Sequence, residues 1–160
     1  MTSNYNKVQD FNKSFGMKRH ESHQLNLFTS DPDLVKLRLD LITEEVSELQ
    51  DAVKNHDFVE VRDALADILY VVYGMQDAFG INGDSDFSIV HDSNMSKLCS
   101  SEEEAIKTVE SYEEKYKNGT SPYDTPYYYY LEEQKKWVVK NKSTGKALKS
   151  INYTKVDFTK

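Results

Sequence analysis

The chain has 160 residues, a formal net charge of −7, and 38% apolar residues. This apolar content is enough for one domain with a hydrophobic core, and it excludes a wholly disordered polymer. The negative charge argues against a protein that grips nucleic acid mainly through its phosphates. No apolar run reaches the ~18 residues of a membrane span, and the segment 1–16 lacks the apolar core of a signal peptide. We therefore expect a cytoplasmic protein with no nucleic acid or membrane partner.

The first helix is predicted from three apolar residues at helical spacing. Val8, Phe11 and Phe15 lie on one face, and Gly16 is a typical residue to end such a helix. A polar loop over 17–30 is expected to follow.

The next two helices are predicted to form an antiparallel hairpin. Asp31 and Pro32 are typical of a helix start, and the apolar periodicity continues without a breaker over 33–54. A third helix is expected over 57–79, with Asp57 as its cap residue and Gly80 after its end. The link over 55–57 is so short that the two helices must lie side by side.

Two more helices and a β-hairpin complete the predicted architecture. Asp84 or Ser85 is expected to cap a helix that continues to Leu98, and Ser101 a fifth helix that ends near 118–119. Two short runs rich in aromatic and β-branched residues then predict a small hairpin. The fold class is thus an all-α bundle of about five helices with a C-terminal β-hairpin. We assign residues 1–119 to the helical domain and 120–160 to an extension of the same domain.

Several carboxylates of the predicted helical hairpin stand where a core is expected. Glu45 and Glu48 project within roughly 40° of an apolar stripe, with Glu44 at its edge. Asp67 lies within an almost wholly apolar stretch, and Asp63 one turn earlier. Folding the helices back on each other places Glu45 level with Asp67 and Glu48 level with Asp63. We call these five residues the acidic cluster.

Charges in such a place need compensation. Arg38, on the same stripe, is the one obvious cationic partner, so a hard cation such as magnesium resolves the remaining negative charge. The alternative is that the acids lie on an ordinary solvated face. That alternative is preferred for Glu60, whose place in a capping box explains it, and for Asp51 and Asp77, which fall on polar arcs.

The same segments resemble a known motif. ITEEVSELQDAV, over residues 42–53, resembles the EE-x-x-E half of the MazG-type motif, and RDALADILYVVYG, over 62–74, resembles its second half. VHDSNMSKL, over 90–98, and the tail TGKALKSINYTKVDF extend the likeness. The chain is similar to the phosphoribosyl-ATP pyrophosphohydrolase-like and dimeric dUTPase-like branches of this all-α superfamily.

The resemblance implies magnesium-dependent hydrolysis of a nucleoside triphosphate, deoxy or non-canonical, to a monophosphate and pyrophosphate. Mn²⁺ is expected to substitute for Mg²⁺. Glu45, Glu48, Asp63 and Asp67 are the implied metal ligands, and Glu44 or Glu45 is the candidate general base. One departure is Ala64, which stands where the motif has glutamate, so that Asp63 is expected to take its place.

Substrate binding is assigned to Arg38, Asn94 and Lys97. An amide suits a base edge or a sugar hydroxyl, while an ammonium suits a phosphate oxygen. Asn94 and Lys97 are three residues apart and are expected on one face of the fourth helix, although a surface role is an alternative. A homo-oligomer, either a dimer or a tetramer of dimers, is expected because so short a chain cannot cover a hairpin with several apolar faces.

Other functions remain as alternatives. Removal of pyrophosphate from phosphoribosyl-ATP is a second hypothesis for an enzymatic activity. A non-catalytic helical binding protein, including one that binds magnesium only to fold, belongs to a different class. A di-iron bundle is disfavoured because neither helix of the hairpin carries a Glu-x-x-His pair. Pyrophosphate release from a panel of triphosphates, with and without magnesium, discriminates between these alternatives.

Overall fold

A computed structural model describes residues 2–159, which divide into two compact units. The first unit ends at Asp86, and the second begins at Phe87. Within the described residues, no helix is both long enough and apolar enough to cross a membrane. The assignment of residues 1–119 and 120–160 to one domain stays a prediction.

The described residues form six helices and two strands, which confirms the mainly helical fold with a small hairpin. The elements are α1 (Asn4–Ser14), α2 (Leu27–Ser30), α3 (Pro32–Lys54), α4 (Phe58–Phe79), α5 (Gly83–Met95), α6 (Glu102–Lys117), β1 (Pro126–Leu131) and β2 (Lys136–Asn141).

Helices α3 and α4 form the predicted hairpin, and side-chain caps fix where each begins. The Asp31 carboxylate accepts a hydrogen bond from the backbone N–H of Leu34, 3.2 Å away, with Pro32 as the first helical residue. The Asp57 carboxylate caps α4 in the same way. The reciprocal half of the predicted capping box is not formed, because the N–H of Asp57 already donates to the carbonyl of Ala52 at 3.0 Å.

The prediction of a polar loop over 17–30 is wrong at its end, where α2 lies. Leu27 is buried there against Leu34 and Ala78. A helix of four residues is too short to show a periodic pattern, so no local pattern predicts it. The earlier part of this segment is held against the end of α4: an added Cβ at Gly80, where φ is 67°, would lie 2.0 Å from the carbonyl oxygen of Ser22.

Asp77 is fully buried, so its placement on the surface is wrong. Its carboxylate accepts hydrogen bonds from Asn12 Nδ2 at 2.9 Å and Gln9 Nε2 at 3.0 Å. The Arg19 guanidinium forms an ion pair with it at 3.3 Å. These donors come from α1 and from the loop after it, so this aspartate ties three segments of the first unit together.

In the second unit, the predicted helix through Leu98 is too long. Helix α5 ends at Met95, and Lys97 lies in the turn that follows. The next helix begins as predicted, since the Ser101 hydroxyl accepts a hydrogen bond from the N–H of Glu104 at 3.2 Å.

The predicted β-hairpin is confirmed, and it forms part of the core of the second unit. β1 pairs with β2 in antiparallel register, with Tyr129 opposite Val138. Buried side chains of Cys99, Val139 and Leu148 pack together behind the hairpin. The chain after β2 therefore returns to the same core rather than leaving it.

Candidate active site

The two helices of the hairpin bring their acidic residues close together. Arg38 Nη1 lies only 2.9 Å from the place that a Cβ on Gly74 would take, so the end of this side chain reaches the middle of α4. Asp67 is the first of the neighbouring charges that raise the pKa of Glu45, which agrees with the predicted pairing of these two residues.

Glu45 stands at the centre of the acidic cluster. Its side chain is half-buried, and its Oε2 atom is buried without a hydrogen-bond partner. Burial raises the pKa of the Glu45 carboxyl, and the negative charges of Asp67, Glu48, Glu44 and Asp63 raise it further. All five acids are therefore close enough to interact electrostatically. A cation among them would reduce their mutual repulsion and give the unpartnered Oε2 atom of Glu45 a partner.

The remaining members of the cluster differ in exposure. Asp67 is half-buried, while Glu44, Glu48 and Asp63 are exposed. Within residues 2–159, no three acidic, histidine or cysteine side chains converge closely enough to form a ready metal site. Carboxylate oxygens are the donors that a hard cation prefers, and the exposed carboxylates would have to rotate about their side-chain bonds to share one.

Arg38 is a buried cation, and within residues 2–159 no carboxylate oxygen lies within 4.0 Å of its guanidinium nitrogens. It is 6% exposed, and its Nε has no hydrogen-bond partner. Burial lowers the pKa of this guanidinium, and the charge of Asp77 opposes that shift. Its position two turns from Glu45 places a positive charge at one end of the row of acids. This charge can offset part of the negative potential of the cluster.

Ala64, which stands where the MazG-type motif has glutamate, lies inside the hairpin. Its small side chain is buried, at 4% exposure. Asp63 is exposed beside it and is coupled electrostatically to Glu45. Glu60 is exposed one turn earlier, in the first turn of α4. The choice of Asp63 over Glu60 as the second acid of α4 stays a prediction.

Asn94 and Lys97 lie in the second unit and are joined to each other. Lys97 Nζ donates a hydrogen bond to Asn94 Oδ1 at 2.7 Å. The expected proximity of the two side chains is therefore correct, although Lys97 is beyond the end of its helix. Lys97 also lines a cavity with Lys115, Lys146 and Lys149. Sequence reasoning missed this group, whose one visible signal is a pair of lysines on either side of the buried Leu148.

Comparison with known proteins supports a function for the hairpin. The family model described as phosphoribosyl-ATP pyrophosphohydrolase matches residues 8–94, more than half of the chain. A stretch of 82 residues is 52% identical to the uncharacterized protein L479 of Acanthamoeba polyphaga mimivirus. That stretch covers 51% of this chain and 33% of the viral protein. The matched family region contains the whole acidic cluster.

Proposed function

Because the chain belongs to the phosphoribosyl-ATP pyrophosphohydrolase family, a family of nucleotide pyrophosphohydrolases, we propose that it hydrolyses a nucleoside triphosphate to a monophosphate and pyrophosphate. Magnesium is the proposed cofactor, with manganese as a substitute. The preferred substrate is proposed to be a deoxynucleotide or a non-canonical nucleotide.

One observation carries this proposal. Glu45 has a buried oxygen without a partner, and four more carboxylates surround it on a hairpin that belongs to the matched region. A structural ion pair would supply a cation for that oxygen, yet no Lys or Arg nitrogen of the described chain lies within 4.0 Å of any of these five acids. A hard metal ion with a bound triphosphate is the partner that this charge pattern fits.

The residues then take separate roles. Glu45, Glu48, Asp63 and Asp67 would hold magnesium, which would supply positive charge for the polyphosphate and lower the pKa of a bound water. Glu44 or Glu45, whichever is not fully committed to the metal, accepts the proton of the attacking water. Arg38 offsets the negative charge that the phosphates bring. Asn94 and Lys97 are proposed to contact the nucleotide.

The direct test measures pyrophosphate release from a panel of ribo- and deoxynucleoside triphosphates, with magnesium and with EDTA. We expect release that needs a divalent cation and differs between the bases. Formation of the monophosphate and pyrophosphate in equal amounts identifies cleavage between the α and β phosphates. Absence of release from every member of the panel would favour the non-catalytic alternative.

Phosphoribosyl-ATP is the second candidate substrate, because the matching family model carries that description. The same panel includes it as one arm. If its kcat/KM exceeds that of every triphosphate, this narrower activity replaces the proposed one. The roles of the acidic cluster are unchanged in that case, since both reactions cleave the same type of bond.

Magnesium should also stabilise the folded protein. At about 100 times its dissociation constant, a ligand that binds only the folded state contributes about 2.7 kcal/mol, which raises Tm by roughly 5–10 °C in a protein of this size. We expect this rise by calorimetry in the parent and its loss in Asp67→Asn, with sodium chloride at matched ionic strength as control. An equal rise in parent and variant would place magnesium elsewhere.

We also propose that the protein is a homodimer. Leu39, Val46 and Val53 recur every seven residues along α3, and all three are between 39% and 57% exposed. Phe58, at 73% exposure, extends the apolar surface onto α4. A stripe with this spacing is the pattern by which helices pack against one another. A second copy of the chain is the partner that the proposal names.

The dimer is tested by measuring mass in solution. We expect light scattering to give twice the chain mass, and Leu39→Glu to give a monomer, because it places a charge in the contact. Leu25→Glu is the matched control, since Leu25 is 83% exposed and lies outside α3 and α4. A monomeric parent at micromolar concentration with full activity would contradict the proposal.

A further inference from the structure

The second unit contains a cavity of about 500 Å³ whose charged lining residues are all positive. Four lysines line it: Lys97, Lys115, Lys146 and Lys149. No aspartate or glutamate is among its lining residues, although the chain as a whole carries a net charge of −7. The lysines come from separate segments, namely the turn after α5, the end of α6 and the chain after β2. Tertiary folding, rather than a local run of basic residues, therefore brings these charges together.

The four ammonium groups lack carboxylate partners. Across residues 2–159, no aspartate or glutamate oxygen lies within 4.0 Å of any of them. Three of them lie over tyrosine rings instead: Lys115 over Tyr112 at 5.1 Å, Lys146 over Tyr123 at 5.3 Å, and Lys149 over Tyr153 at 4.4 Å. Such contacts hold a lysine in place without neutralising its charge.

The segment that supplies Lys146 and Lys149 is firmly held. Leu148 is buried between them, and its N–H donates to the carbonyl of Val139 at 2.9 Å. The N–H of Lys149 itself donates to the Tyr112 hydroxyl at 3.2 Å. The two lysines thus stand on a backbone that is held in place by these hydrogen bonds and by the burial of Leu148.

A network of side-chain hydrogen bonds holds the turn that precedes these lysines. Asn141 is fully buried, and its Nδ2 donates to Asp124 Oδ1 at 3.1 Å and to Ser143 Oγ at 2.8 Å. Ser143 Oγ donates to Asp124 in turn, and these hydrogen bonds lower the pKa of Asp124 to about 2. The turn therefore keeps its shape over the whole physiological range of pH.

We propose that this lysine-lined cavity is a binding site for a compact phosphate anion of the pyrophosphate or oligophosphate class. Several converging ammonium groups without carboxylate partners match a ligand that carries more than one negative charge. The charged side chains that line the cavity are all ammonium groups, which makes the phosphate group the feature that they recognise. The proposal extends the role of Lys97 and does not require hydrolysis at the acidic cluster.

The test is binding of pyrophosphate to the full chain in EDTA, measured by titration calorimetry. We expect one saturable site, with weaker binding of orthophosphate because it engages fewer ammonium groups. Lys146→Gln/Lys149→Gln should weaken pyrophosphate binding at least about tenfold, since it removes two charge-assisted contacts. The matched control is Lys117→Gln/Lys142→Gln, which removes two exposed lysines outside the cavity lining. Circular dichroism and thermal unfolding verify that each variant is folded.

Each outcome bears on the proposal separately from the proposed hydrolysis. Loss of binding in the cavity variant, with the control unchanged, supports it whether or not the parent releases pyrophosphate from any nucleotide. No pyrophosphate binding by the parent overturns it, as does equal weakening in both variants, which would mean attraction to general surface charge. Binding of a single-stranded oligonucleotide through these lysines, without pyrophosphate binding, also overturns it. Absence of hydrolysis alone leaves it standing.

Discussion

Replacing Glu45 with glutamine, or Asp67 with asparagine, should lower the rate of pyrophosphate release by about 100-fold or more. Each substitution keeps the shape of the side chain but removes a charge that we propose holds magnesium. In EDTA, neither variant should be less stable than the parent. Glu45 supports this expectation most directly, because its carboxyl is already unfavourable in its charged form. Steady-state kinetics and thermal unfolding measure the two effects on the same preparations.

Glu60→Gln is the matched control for these variants. It removes one carboxylate from the same helix as Asp67, but Glu60 is exposed and lies in the first turn of that helix. We expect its activity to stay within about twofold of the parent, as is usual for a surface substitution. If Glu60→Gln is as inactive as Asp67→Asn, then Glu60 and Asp63 form the metal-binding pair and the proposed ligand set is wrong.

The sequence was sufficient to predict the helical hairpin because its signals are local and agree with one another. Cap residues at Asp31 and Asp57 fix where the helices begin, and the short link between them leaves one way to fold. Given that hairpin, helical periodicity alone places Glu45 level with Asp67. The charge of Asp67, which acts on the pKa of Glu45, agrees with this pairing.

Asp77 shows where reasoning from helical periodicity fails. The pattern within α4 places it on a polar arc, and a polar arc usually faces water. Its partners Asn12 and Arg19 lie 65 and 58 positions away in the sequence. No local pattern indicates that they contact Asp77. A single helix pattern cannot distinguish a solvated acid from one that is buried with its partners.

The lysine-lined cavity shows the same limit for binding sites. The sequence around Lys97 predicts a role for this residue in substrate binding. Lys115 and Lys149 join it only through the folding of the second unit. The end of α5 at Met95 matters here too, since it places Lys97 in a turn rather than on a helical face. Local patterns therefore identified one member of the group, and tertiary structure was needed for the others.

Asp77→Ala should lower the free energy of unfolding by about 3–5 kcal/mol, a large part of the stability of a typical domain. The Asp77 carboxylate is fully buried and accepts hydrogen bonds from Gln9 and Asn12 besides its ion pair with Arg19. Removing it leaves a half-buried guanidinium and two amides without their acceptor, and each needs a partner in an environment that water reaches poorly. Urea unfolding, followed by circular dichroism, measures the change.

Two further variants separate the lost network from a general effect of removing an acid. Asp51→Ala takes an exposed carboxylate from α3, and it should change the free energy of unfolding by no more than about 0.5 kcal/mol. Asp77→Asn keeps one acceptor oxygen and the shape of the side chain. The decrease in its free energy of unfolding should therefore lie between the decreases in the two alanine variants. If Asp77→Ala is no less stable than Asp51→Ala, the buried contacts of Asp77 do not stabilise the first unit, and α1 is held by its apolar contacts and by the hydrogen bond from the Tyr5 hydroxyl to the Ile81 carbonyl.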